Sequence, residues 1–273
     1  MSKLLVVKSD GTTEHFSANK VRHAIERAGI PVSMTERVLD HIRAIAKQNI
    51  TTQEIHRHIV EFLSHSYPQG ICRFNLKSAI MRLGPTGFPF ERFVARLLEK
   101  QGYKTEVDMY VFGKCVKHEV DVLATKEDRT YFVECKYHNH SGIRSDIKTA
   151  LYVYARGEDL KQGKKGTAGT YEPWLFTNTK LTGDAIAFGE CRSMRITGWG
   201  YPTHNNLQDM VEEKKCYPIT VLSSLSLMQM QQLLRENIVM IQDITQNPAI
   251  LATLDMSYIH RHALLEEIGQ LSA

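Results

Sequence analysis

The chain has 273 residues, 42% of them hydrophobic, with 34 Lys and Arg against 30 Asp and Glu and a formal net charge of +4. This supports a buried core in two domains or three small ones, while the lack of an apolar signal region and of any run near the ~20 residues that span a bilayer argues against a membrane protein and for a cytoplasmic one. Five scattered Cys form no disulfide framework, and +4 is too small a charge to argue by itself for nucleic acid.

In chain order, Leu4 to Lys8 and Thr13 to Phe16 read as two short strands around an Asp10-Gly11 turn. A helix from Asn19 to Ala28 ends at Gly29, Ser33-x-x-Glu36 and Thr51-x-x-Glu54 read as capping boxes that open the next two helices, and Arg73 to Leu83 supplies a fourth before Gly84-Pro85. That is a unit of ordinary domain size.

The run from Leu5 to Val21, LVVKSDGTTEHFSANKV, resembles the signature of the ATP-cone, a regulatory nucleotide-binding module familiar from ribonucleotide reductases. The resemblance implies that Val7 and Lys8 lie at the nucleotide, that Lys20 meets phosphate, and that Glu14 and Thr52 contact the base or its surroundings. Two Lys side chains suit polyphosphate as mobile point charges. The implied regulatory ligand is ATP or dATP. Ser9 stands where the family usually has Arg, so phosphate affinity or nucleotide preference is expected to differ, and without a Walker A sequence binding rather than hydrolysis is expected.

Next comes an amphipathic helix from Phe90 to Tyr103, apolar at 90, 93, 94, 97 and 98, with Gly102 as its C-cap and Glu91 on the border of the apolar stripe. Val116 to Ala124 and Tyr131 to Tyr137 then read as a hairpin. Period-2 alternation puts Glu134 and Lys136 on one face, puts Val133, Cys135 and Tyr137 on the other, and gives Asp121 the same face as Glu119. Symmetric closure on Glu127-Asp128 sets Asp121 opposite Glu134. Two carboxylates beside one ammonium repel unless a cation lies between them, and hard Mg2+ (or Mn2+) favours such oxygen ligands. The chemistry this implies is phosphodiester hydrolysis, with Lys136 stabilising developing charge or orienting the nucleophile. On an exposed strand, a Glu-x-Lys pair is also an ordinary solvated pair.

Asp121 followed by Glu134-Cys135-Lys136 resembles the PD-(D/E)XK nuclease superfamily, and the strand, helix and strand read at Pro173 to Asn178, Thr182 to Cys191 and Met194 to Trp199 resemble the second half of its Mrr-like members. The resemblance implies catalytic roles for Glu91, Asp121, Glu134 and Lys136, and metal-ligand roles for Asp121, Glu134 and Cys135. Mrr-like proteins often carry Gln-x-Lys and a Gly-rich approach to the first acid, so Glu134 and the His118-Glu119-Val120 approach leave the preferred substrate structure open. Cys115-x-x-His118 and Cys135-x-x-His138 have a zinc-like spacing, but residues three apart on a strand face opposite sides.

Positive charge concentrates after this hairpin, and Arg144, Lys148, Lys164 and Lys165 are the candidate DNA contacts. Gly157 to Thr170 reads as a mobile loop, either wrapping DNA or merely connecting. Leu207 to Glu213, Leu227 to Glu236 and Ile259 to Ile268 read as helices; Leu225 to Leu234 resembles a helix-hairpin-helix element without its Gly-rich hairpin, which favours packing or dimerisation.

The expected fold class is α/β: a small helical cone with a short sheet over 1–85, a mixed-sheet restriction-endonuclease-like domain over 86–200 and a helical extension over 201–273. The expected function is a Mg2+-dependent DNA endonuclease controlled by nucleotide, with DNA and the effector as partners and a homodimer or higher homo-oligomer as the assembly. The alternative is a nucleotide-sensing DNA-binding regulator whose nuclease-like domain does not cut.

Overall fold

A computed structural model describes residues 4–8, 11–28, 30–67, 71, 74–140, 142–164 and 169–272. Ser9, Asp10, Gly29, Arg73 and Lys165 lie outside the described residues.

The cone is built on a three-stranded sheet in the order β2-β1-β3, with β1 at Leu5–Val7, β2 at Thr13–His15 and β3 at Ile50–Thr51. Helix α1 (Ala18–Arg27) starts at Ser17, whose hydroxyl accepts from the Lys20 N–H. Helix α2 (Val32–Ile45) has no side-chain cap; Pro31 precedes it, and the expected Ser33/Glu36 box is absent because Glu36 instead pairs with Arg22 at 2.6 Å. Helix α3 (Thr52–Ser66) does carry the expected box, with reciprocal Thr51 and Glu54 bonds of 3.0 and 2.8 Å. Val6, Ile25, Val38, Ile42, Ile59 and Leu63 close a core of their own beneath this sheet.

A short helix α4 (Leu76–Ile80) leads into α5 (Phe88–Lys100), which buries Phe90, Phe93, Val94, Leu97 and Leu98 at helical spacing. Gly102 ends it with φ +87, a left-handed conformation that Gly adopts without a Cβ penalty. The central sheet has the order β10-β8-β6-β5-β4, with β4 at Lys104–Phe112, β5 at Lys117–Lys126, β6 at Arg129–Lys136, β8 at Thr170–Thr177 and β10 at Arg195–Thr197. The first three strands are antiparallel neighbours, whereas β6, β8 and β10 run parallel. A small parallel pair, β7 (Arg144–Ser145) and β9 (Lys180–Leu181), sits beyond their ends.

Two helices cover one face of the sheet, α6 (Ile147–Gly163) and α7 (Gly183–Cys191), through Val153, Leu160, Phe132, Leu175 and Ile196. Helix α6 occupies much of the segment expected to be a mobile loop. Gly157 allows this: a Cβ there would lie 2.4 Å from the Pro173 side chain, so the backbone of α6 approaches β8 where only glycine fits. The other face shares one continuous core with α5 and the C-terminal helices α8 (Leu207–Glu213), α9 (Leu227–Arg235), α10 (Ile241–Gln246) and α11 (Tyr258–Ser272). The C-terminal region is thus packed onto the sheet domain, with the Thr220 hydroxyl donating to the Ala79 carbonyl at 2.7 Å. Among the described residues, no helix is long and apolar enough to cross a membrane.

Candidate active site and nucleotide pocket

The β5–β6 hairpin closes in the expected register, from Lys126↔Arg129 to Val122↔Val133. The ladder stops there, one residue short of Asp121 and Glu134. On the other side of β5, pairing with β4 passes from Val107↔Val122 to Met109↔Val120 and skips Asp108 and Asp121; Asp108 has φ +54. Simple alternation also fails at this point. Val120 and Met109 pack with Phe132 beneath α6, whereas Val122 and Val107 pack into the opposite core. The expectation that Asp121 simply shares a face with Glu119 is therefore corrected: both strands turn over at Asp108 and Asp121. Such irregularities re-aim a side chain and release it from the ladder. The freed Asp121 carboxylate accepts from the Cys135 N–H at 2.7 Å.

Glu134 is reached from the α6 side by Arg156, which donates to its carboxylate at 2.6 Å and also donates to the Glu119 carbonyl. Glu91 comes from the first turn of α5. Burial, then the charges of Asp121, Asp108, Glu134 and Glu119, push its pKa up to about 7. Glu134 is likewise raised to about 7, by burial first and by Asp121 second, against the opposing effect of Arg156. Asp121 is raised too, mainly by burial, with the Cys135 N–H opposing. Lys136 is exposed at the end of β6.

The structure thus gathers Glu91, Asp121, Glu134 and Lys136 around one end of the hairpin. Cys135 differs from the expectation of a ligand: its thiol is buried in the core, only 8% exposed and raised in pKa by desolvation, and the group it turns to the site is its N–H. Among the described residues, no three His, Cys, Asp or Glu side chains are drawn together closely enough to hold one ion. The donor set nevertheless suits a hard divalent cation, since these are carboxylates that desolvation and mutual repulsion keep from ionising at their ordinary pH.

Two functional neighbours were not singled out in the sequence. Asp108 lies on β4, where no strand was expected, and Arg156 was one of several basic residues that follow the hairpin, just ahead of the loop expected from Gly157. The available signal for Arg156 was its spacing from Val153 and Leu160, a helical stripe. Of the zinc-like pairs, Cys115 and His118 come together, because Cys115 precedes β5, but on the Asp159 carboxylate, to which the Cys115 N–H donates at 2.8 Å and His118 bonds at 2.8 Å; Cys135 and His138 do not, the first being buried and the second meeting Ser145 at 3.0 Å.

The expected DNA contacts fall in different places. Lys148 and Lys164 lie at opposite ends of α6, about 24 Å apart by helical rise, and so do not form one patch. Arg144 lines a cavity facing the cone.

Two cavities meet at the cone. One, of about 220 Å³, is lined mainly by apolar groups, including Phe16, Val21, Ile55, Ile59 and Phe74; His56 stacks on Phe74 with ring centroids 4.9 Å apart. The other, of about 350 Å³, holds Lys8 and Lys20. Glu14, Lys20 and Thr52 line both. Glu14 bonds Lys20 at 2.7 Å and Lys8 at 2.9 Å, and these contacts hold its carboxyl below the usual range. Four of the five expected nucleotide residues thus line these cavities. Val7 lines neither, and its neighbour Val6 lines the apolar one, because Val6 is the β1 residue that faces the core.

Comparisons with known proteins match three families along the chain. Residues 4–74 match the ATP cone domain family, 85–197 a restriction endonuclease family, and 217–272 the family described as AF1548-like, C-terminal. An uncharacterized protein of Archaeoglobus fulgidus is 39% identical over 129 residues, which make up 47% of this chain and 71% of that protein. The crystal structure of a protein of unknown function, AF1548, is 32% identical, with a TM-score of 0.55 over 68% of this chain and 97% of that one.

Proposed function

The chain belongs to the AF1548-like family and carries an ATP cone ahead of a restriction-endonuclease-like domain; on that premise we propose that it is a metal-dependent DNA endonuclease whose cutting is controlled by ATP or dATP bound at the cone. The observation that carries this reading is that Glu91, Asp121 and Glu134 lie near enough to feel one another's charge at the Lys136 end of the hairpin, with Glu91 and Glu134 raised to about 7 by burial first and by neighbouring carboxylates second. Asp121 and Glu134 would hold Mg2+ or Mn2+, which at such a site polarises a phosphate oxygen and makes a bound water more acidic. Lys136 offsets the negative charge that develops on phosphorus oxygens, and Glu91 adds negative field from α5. Arg156 holds Glu134 in place from behind.

At the cone, the apolar cavity takes the base and the lysine-lined one the phosphates. Effector control requires that nucleotide bind two states of the protein unequally. The proposed division is a cone over 1–85, a nuclease domain over 86–200 and a packing or dimerisation region over 201–273. A homodimer or higher homo-oligomer fits the need to cut two strands.

The Arg156 contact favours a second reading, in which Glu134 stays occupied and the protein senses nucleotide and binds DNA without cutting. Cleavage of linear, supercoiled, methylated and branched DNA with Mg2+ or Mn2+, with and without ATP or dATP, separates the two. Metal-dependent cutting that is lost in Glu134→Ala while DNA binding persists supports the endonuclease; binding with no cutting on any substrate supports the regulator.

A further inference from the structure

The basic cavity at the cone is not closed by the cone alone. Lys8, Glu14, Lys20 and Thr52 form one wall, and Lys77, Met81, Arg144 and Lys180 form the other, from α4 and from the β7–β9 pair of the nuclease domain. Five cations therefore face one carboxylate, and that carboxylate is already shared by Lys8 and Lys20 at 2.9 and 2.7 Å.

On the nuclease side, the positive charge has no such balance. Arg144 and Lys180 are direct partners across the β7–β9 ladder, where neighbouring side chains lie within contact range and like charges destabilise. Neither has an ion-pair partner among the described residues. Lys77 lies 5.7 Å from the centre of the Trp199 ring, and desolvation, then Lys180, lowers its pKa. A cluster of this kind, placed in a shared cavity, is electrostatically incomplete until an anion enters it. The adjoining apolar cavity, joined through Glu14, Lys20 and Thr52, supplies a place for the rest of a nucleotide.

We propose that the polyphosphate of the nucleotide is gripped from both sides, by Lys8 and Lys20 beside the cone sheet and by Arg144 and Lys180 of the nuclease domain together with Lys77 of α4, a helix that ends the cone segment but packs into the core of the nuclease sheet, so that the effector bridges the two domains. This rests on the reading that the cone binds nucleotide, and adds how the bound state is felt by the nuclease. The far wall is tied to the catalytic strand: the Tyr137 hydroxyl donates to the Met81 carbonyl at 2.6 Å, and the Asn178 amide bonds both the Met81 sulfur at 3.1 Å and the His138 carbonyl at 2.8 Å. Tyr137 and His138 follow Lys136 directly. A triphosphate, which reaches the second wall, is thereby distinguished from a monophosphate, which does not.

The test is calorimetric binding of ATP and of AMP to the full chain, without DNA, for the wild type, Lys180→Ala, Lys77→Gln, their double variant and Lys20→Ala. The double variant is expected to bind ATP at least about tenfold more weakly, the loss of charge-assisted contacts, while its AMP affinity changes by less than about twofold. Unchanged ATP affinity in the double variant, with Lys20→Ala still weakening ATP, overturns the bridge and leaves the cone reading standing. An equal loss for ATP and AMP also overturns it, as does, in a separate titration of the same proteins with duplex DNA, weaker DNA binding by the double variant with an unaltered ATP to AMP ratio, which would assign these cations to nucleic acid. If the wild type binds no ATP, the cone reading and the bridge fall together.

Discussion

The same side-chain chemistry is set to opposite ends in the two halves of this molecule. In the cone, Glu14 sits between two lysines and is held ionised; in the sheet domain, Glu91 and Glu134 crowd other carboxylates away from solvent and are raised to about 7. The first arrangement leaves cations to spare and suits an anion, while the second leaves anions to spare and suits a cation. What a Glu does is decided by its neighbours, and those neighbours come from elements far apart in the chain.

The comparison can be broken most sharply at Asp121. Asp121→Asn removes one anion from the crowded site, keeps its shape, and is expected to lower metal-dependent cleavage on the order of 10³-fold, measured as initial rate on a labelled duplex. A rate near wild type would mean that the crowding has no catalytic purpose.

Arg156→Ala removes the cation bonded to Glu134. Both side chains of this pair are largely buried, at 15% and 21% exposure, and the variant is expected to lose about 2 kcal/mol in urea unfolding, less than a fully buried pair would. No measurable loss would show that Glu134 is content without a cation.

Acidity offers a third probe. Glu91 and Glu134 have folded pKa values of about 7 against an ordinary 4.5, so between these values the folded state binds more protons than the unfolded one. Stability in chelator is therefore full at acid pH and falls as pH rises through about 7, and added Mg2+ should raise the melting temperature more at pH 8 than at pH 5. A melting temperature in chelator that climbs over this range would contradict the crowding.

The cone answers to smaller changes. Lys20→Ala should weaken ATP by about tenfold in calorimetry, since one charge-assisted contact is lost. Thr51→Ala, which removes the cap of the helix that begins at Thr52, should cost about 1 kcal/mol of stability and loosen ATP binding slightly.

Much of this was legible because it rests on local rules. The register of β5 and β6 followed from a short polar turn between two β-rich runs, and the Thr51/Glu54 box from the requirement to satisfy free N–H groups at a helix start. The Ser33/Glu36 box shows the limit of such rules: the same spacing is present, but Glu36 found Arg22 across the cone instead. Gly157 shows it again, since a glycine-containing basic stretch reads as a loop until the close approach of Pro173 explains why a helix needs a glycine there.

By itself, the sequence determined the cone, the hairpin and the acid, acid and lysine of the candidate centre, because hydrophobic period, turn chemistry and motif spacing act over a few residues. Only the tertiary structure decided that the strands turn over at Asp108 and Asp121, that Arg156 reaches Glu134, and that Lys77, Arg144 and Lys180 face the cone across a shared cavity. These depend on packing between segments distant in sequence, where burial and charge are set by whichever surfaces meet.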